Sequence, residues 1–252
     1  MNDPLSTRER ERTSAVRLVR DLVRVEVAGG RFPDGVLPAE DQLMHRYDVS
    51  RGVVRDALQM LGTQGLLERV RGAGTFVVAP AQVRHHIEVS QDISGELAHG
   101  RSRSSWEVLG WNLRPAPGVI ADRLGISTGD DVFCLERRAM LDGLPLSMRS
   151  SWLVGTVAKP LLEPGVDLHS SLYLLLEETL GRRIGDTELV IEAENADFLT
   201  ASPLGVALGT ALFRMERTVF DRDGGRLEYS IAHTRSDRMA LVTVMQQADR
   251  TS

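Results

Sequence analysis

The chain has a single cysteine, a single lysine and no long apolar run. Cys134 cannot close an internal disulfide, which fits a reducing compartment, and within Val132-Phe133-Cys134-Leu135 it reads as a buried strand residue rather than a reactive thiol. No segment approaches the length of a membrane span and the charged N-terminus has no signal-peptide pattern, so a cytoplasmic chain with no membrane partner is expected. His45, His99, His169 and His233 are scattered without ligand spacing. His85 and His86 would point to opposite sides of a strand, with no cysteine or carboxylate cluster beside them. Neither a metal nor a cofactor is therefore expected. A nucleophile–base set and a phosphate-cradling loop are also missing, which argues against catalysis.

Charge is present but unevenly placed. The 252 residues carry a net −5, yet Met1 to Pro80 hold twelve arginines against eleven acids, leaving 18 bases and 24 acids for the rest. The second part is thus a poor partner for nucleic acid, and the first can bind it only through a local cluster of arginines. The length suits one module of about 80 residues and a larger domain. The expected boundaries are 8–79 for the module, 80–86 for a linker and 87–247 for the second domain.

Residues 36–78 read as helix, turn, helix and β-wing. Leu37 and Pro38 open a short helix with Leu43 and Tyr47 four apart on one side, and Asp48-Val49 makes the turn. Ser50 is a good N-cap for the next helix. There Val54, Ala57, Leu58 and Leu61 share one face, while Arg51, Gly52 and Arg55 point away from it. Gly65 supplies a left-handed stop, and two short strands at 66–70 and 75–78 flank Arg71-Gly72-Ala73-Gly74. Upstream, residues 8–28 form a helix with an apolar stripe of Ala15, Leu18, Val19, Leu22 and Val25. Such an arrangement lays a helix in the major groove of double-stranded DNA while a hairpin grips the backbone. Arg51 or Arg55 can reach a guanine edge, and Gly52 and Val53 can act only by close approach or against a thymine methyl. The expected DNA-binding residues are Ser50, Arg51, Gly52, Val53, Arg55, Arg71 and Gly72.

This stretch resembles the winged helix-turn-helix of GntR-type bacterial transcription regulators, whose pattern runs close to Leu-Pro-Ser-Glu-x-x-Leu, Val-Ser-Arg-x-Thr-Val-Arg-x-Ala-Leu and Gly-x-Gly-Thr-Phe-Val. Departures are Asp41, where many members have a DNA-contacting arginine, and Gly52-Val53 in place of a pair of small hydroxyl residues. They bear on which operator is read.

Beyond residue 87, strands are expected at 108–113, 132–141, 146–154, 186–193, 212–220 and 226–234. Hairpin turns fall at Asp142-Gly143 and Asp223-Gly224-Gly225, and short helices at 118–124, 172–180, 196–199 and 203–207. The whole chain is then a mixture of α/β and α+β, with the second domain an α+β fold on an antiparallel sheet. The blocks Arg114 to Gly125, Leu135 to Arg138, Asp142 to Leu146, Asp167 to Tyr173 and Asp221 to Ser230 resemble the UTRA effector-sensing domain of the HutC subfamily. The resemblance implies a chorismate-lyase-like fold, homodimerisation and a small-molecule effector held between sheet and helices. It also implies, by analogy with sugar-phosphate-sensing relatives, a pocket at Arg137, Ala139 and Arg149, joined by Ser90, by Glu192 and by Glu228 or Tyr229. Ala139 and Arg149 replace an arginine and a glutamate of that pattern. Arg137 and Arg149 are expected to hold an anionic group, since a guanidinium fork suits a carboxylate. Their alternative is a solvent-facing strand with salt bridges to neighbours such as Glu192. A ligand-responsive repressor is the expectation, and an enzyme or a constitutive DNA binder are its rivals.

Overall fold

The computed structural model describes residues 7–78, 83–87 and 104–244, and the chain divides into two compact units, Met1–Gln82 and Val83–Ser252. The first unit contains α1 (Thr7–Ala28), α2 (Glu40–Tyr47), α3 (Arg51–Thr63) and a hairpin of β1 (Leu67–Val70) and β2 (Gly74–Val77). Valines 16, 19 and 23 of α1 are buried against Val53, Ala57 and Leu61 of α3. Leu18, Leu22 and Val25, expected inside, are exposed. Two apolar stripes run along α1, and the β-branched one packs inward.

Helix α2 begins at Glu40, later than expected, because Ala39 is still extended and Leu37 pairs its amide with the Thr75 carbonyl of the wing. Asp48 adopts a left-handed conformation that turns the chain into α3. Ser50 has the extended backbone of an N-cap, yet its hydroxyl makes no capping bond; its carbonyl accepts the amides of Val53 and Val54 instead. Gly65, at a φ of 72°, releases the chain into β1.

In the second unit, β3 (Val83–His86) pairs in parallel with β10 (Met239–Val242). Four of the seven residues expected as linker are therefore strand. A pairing partner more than 150 residues away leaves no mark in local composition. The remaining strands are β4 (Ser104–Pro115), β5 (Asp131–Leu141), β6 (Leu144–Val154), β7 (Ile184–Asn195), β8 (Ala211–Asp221) and β9 (Arg226–Arg235). They form one antiparallel sheet in the order β4-β5-β6-β9-β8-β7. Asp142 and Gly143, both with positive φ, make the first tight hairpin.

The sheet is covered on both faces. On one, α5 (Gly155–Ala158), a 3-10 turn (Lys159–Leu162) and α6 (Leu172–Leu174, continued by a π turn at Leu175–Thr179) bury Phe133, Leu135, Leu153 and Val219. On the other lie α4 (Gly118–Leu124), against Val132 and Tyr229, and α7 (Phe198–Leu204), against Leu212. The two helices expected at 196–199 and 203–207 are one, α7, capped by the Asp197 carboxylate, which accepts from the amides of Leu199 and Thr200. Bonds from Thr200, hydroxyl first and amide second, hold Asp197 below the usual carboxylate range.

This unit is built twice over. The succession β4-α4-β5-β6 recurs as β7-α7-β8-β9, with Gly125, Gly129, Phe133, Glu136 and Arg137 matched by Gly205, Gly209, Phe213, Glu216 and Arg217. Close approach fixes another glycine. A Cβ on Gly155 would lie 2.4 Å from the Asp131 carbonyl oxygen. Gly155→Ala should destabilise the unit by about 1–3 kcal/mol through overpacking, and an unshifted thermal midpoint would show that the backbone relaxes there freely.

Candidate functional site

On the first unit, the start of α3 and the wing present a basic surface crossed by acids. Arg51 and Arg55 emerge from the first turns of α3, and Arg71 and Gly72 lie exposed at the wing tip. Gly72 takes a φ of 80° there, which favours glycine. Arg51 pairs with Asp41, and Arg69 Nη2 of β1 lies 2.9 Å from Glu40 Oε1, which also faces Arg55 Nε at 3.8 Å. An added Cβ on Gly52 would meet nothing closer than Arg12 Nη2 at 3.9 Å, so the α3 surface is open there. Between α3 and the wing runs a groove of about 750 Å³ lined by Gly52, Arg55, Gln59 and Arg69 among others.

Val53 does not belong to this surface. It is 5% exposed and packs in the core, because position 53 of α3 turns inward with Ala57 and Leu61. Arg69 was not expected. Its signal was its place in Glu68-Arg69-Val70-Arg71, two residues before the wing-tip Arg71 on the strand that leads to it.

The second site lies on the sheet face covered by α5 and α6. Register decides its membership, since directly paired residues share a face. Arg137 of β5 pairs with Arg149 of β6, Ser151 with Ser230 of β9, and Ser230 with Arg217 of β8. Glu228 shares their face two residues before Ser230. Arg137, Arg149, Arg217, Ser151 and Glu228 are all buried. Glu228 Oε2 accepts from Arg217 Nη2 at 2.7 Å, and its Oε1 accepts from the Ser151 hydroxyl at 2.7 Å. Arg217 also donates to the Tyr173 hydroxyl at 3.2 Å, with its guanidinium 5.0 Å from that ring's centre. Arg137 donates to the Ser170 carbonyl at 2.6 Å. Trp106 of β4 lies beneath both arginines of the pair, 4.5 Å from Arg137 Cζ and 5.7 Å from Arg149 Cζ. Among the described residues, this buried face thus carries three guanidinium groups and one carboxylate.

Four of the expected pocket residues need comment. Tyr229 follows Glu228 and must point the other way; it packs under α4, stacks on Trp152 at 5.8 Å, and burial pushes its hydroxyl pKa up. Glu192 is on that opposite face too, more than half exposed and paired with Arg214 at 2.5 Å. It therefore cannot neutralise Arg137 or Arg149. Ala139 is buried on the arginine side, opposite Ser147. Ser90 lies outside the described residues. Conversely, Arg217, Trp106, Tyr173 and Ser151 were missed. The match of Leu135-Glu136-Arg137 with Met215-Glu216-Arg217 was available in the sequence and marks Arg217. Trp106 becomes a neighbour of Arg137 only through the β4–β5 register, which no local pattern fixes.

The arrangement can grip an anion through planar guanidinium forks stiffened by aromatic faces. Among the described residues, no three His, Cys, Asp or Glu side chains stand close enough to hold a metal, and no helix is long and apolar enough to cross a membrane.

Residues 16–77 match the bacterial regulatory proteins of the gntR family, and residues 100–240 match the UTRA domain. The chain is 33% identical to the HTH-type transcriptional regulator Rv0792c of Mycobacterium tuberculosis, over 86% of this chain and 81% of that one. It is 30% identical to the HTH-type transcriptional repressor PhnF of Mycolicibacterium smegmatis, over 90% and 93%. The crystal structure of PhnF superposes with a TM-score of 0.67 at 27% identity, covering 91% of this chain and all of that one.

Proposed function

Because the chain belongs to the GntR family of bacterial transcription regulators and carries a UTRA effector domain, we propose that it is a cytoplasmic homodimeric repressor of a near-palindromic operator, released or retuned by a small anionic metabolite. Its relatives are regulators of transcription and not enzymes. One winged module spans a half-site, and a two-fold assembly places two modules on an inverted repeat. Ser50, Arg51, Gly52 and Arg55 meet the major groove, and Arg71 with Gly72 the flanking backbone.

The observation that carries the ligand reading is the direct pairing of two buried arginines, Arg137 and Arg149, on one sheet face. Arg217 holds Glu228, and the facing pair Arg137 and Arg149, both over the Trp106 ring, is the anion grip of this reading. Arg149 thereby supplies the positive charge that Ala139 lacks, from the neighbouring strand rather than from two positions along the same one. Effector binding then biases the arrangement of the two winged modules, and only a ligand with different affinity for the two arrangements can do so.

A panel of carboxylate and phosphate metabolites, screened by thermal shift and then by anisotropy on operator DNA, tests this. An effector should raise the melting temperature of the wild type and weaken DNA binding, and Arg149→Ala should lose both responses. An effector that acts equally on Arg149→Ala removes Arg149 from the site. Operator binding that no anion alters would favour a constitutive DNA binder.

A further inference from the structure

The two acids that open α2 both face arginines of the DNA-binding surface, but in different settings. Glu40 is largely withdrawn from solvent, with its side chain 22% exposed, and one of its oxygens lies between Arg69 of the wing and Arg55 of α3. Asp41 is 64% exposed and pairs with Arg51, itself exposed, at the start of α3. An acid in the first turn of a helix is favoured by the helix dipole, which suits Glu40 to the start of α2.

We infer that Glu40 is a positioning residue for DNA recognition, bridging wing and recognition helix, whereas its neighbour Asp41 competes with DNA for Arg51. Counting charge alone gives both acids the same sign, since removing a negative group beside a polyanion raises affinity for any sequence. Geometry separates them. The bridge orders two long side chains on two different elements before DNA arrives, and ordering them beforehand lowers the entropy lost in the complex. The Asp41 pair does the reverse. It is an exposed contact on a single arginine and must break before that arginine can turn to a phosphate or a guanine.

The inference rests on Arg55 and Arg69 facing DNA, and the test separates the two. Full-length wild type is used to enrich a duplex from a random library, and anisotropy is then measured on that duplex and on a scrambled duplex of equal length. Glu40→Ala should bind the enriched duplex about tenfold more weakly, the scale of one arginine–guanine contact, with the scrambled duplex bound as well as before or better. Glu40→Gln, which keeps an acceptor oxygen at the same reach, should recover part of the loss. Asp41→Asn should tighten both duplexes, by about threefold, as one fewer negative charge requires. Glu40→Ala tightening both duplexes as Asp41→Asn does, or weakening both equally, overturns the inference while Arg55→Ala remains defective. If Arg55→Ala binds the enriched duplex like wild type, the placement of Arg55 on DNA fails and the inference fails with it.

Discussion

Glu228→Gln is expected to lower the stability of the second unit by about 3–5 kcal/mol, the cost of removing one partner from a buried ion pair. Glu228 is fully buried, with a guanidinium on one oxygen and a hydroxyl on the other. Glutamine keeps the volume but offers one acceptor where there were two, and it withdraws the negative charge beside Arg217. Exposed pairs such as Arg235–Asp237 involve an acid that stays hydrated, and breaking them costs about 0–1 kcal/mol. Trp106, Trp111 and Trp152 are the chain's three tryptophans and all lie in this unit, so fluorescence during urea unfolding follows it alone. A variant with an unchanged midpoint would mean that the arginine face holds itself together without Glu228.

Removing Arg51 and Arg55 together should cut affinity for the operator about 100-fold, each arginine contributing about 1–3 kcal/mol of base discrimination. The loss should be larger on the operator than on scrambled DNA, because base contacts carry specificity and phosphate contacts do not. Arg71→Ala should differ in kind, weakening both duplexes alike and reducing the salt dependence by about one phosphate contact. Equal losses for Arg51→Ala and Arg55→Ala on the two duplexes would place both side chains on the backbone. The structure sharpens this contrast for Arg51, which is paired with Asp41 and would exchange that partner for DNA, whereas Arg55 faces Glu40.

The winged module was readable because its signals are local. Helix periodicity, Asp48 at the turn and Gly65 at the stop each act within a few residues. Where local signals were ambiguous, the reading erred by one face. The α1 stripes and Val53 are cases in which two apolar choices compete and only packing against α3 decides. The six sheet strands were visible through alternation and turn residues, whereas β3 was not, since a four-residue strand with a distant parallel partner has no signature of its own. The residues expected to line a pocket divide between the two faces of the sheet. Arg137, Arg149 and Glu228 share a face; Tyr229 and Glu192 obey the same two-residue period and fall on the other. Strand parity alone separates Glu228 from Tyr229, but the side on which Glu192 falls depends on the pairing of β7 with β8.

The doubled β-α-β-β plan divides the arginine face in two. The two halves place Arg137 and Arg217 at matching positions, Arg137 in β5 and Arg217 in β8. Strand register then makes Arg149 the counterpart of Ser230, and Glu228 that of Ser147. At each of those places the two halves differ, one carrying a charge and the other a small hydroxyl. A symmetric cradle cannot tell the two orientations of a guest apart. By departing from that likeness at two positions, the face has one end where Glu228 joins Arg217 to Ser151 and another where Arg137 stands opposite Arg149, so its two halves are chemically distinct.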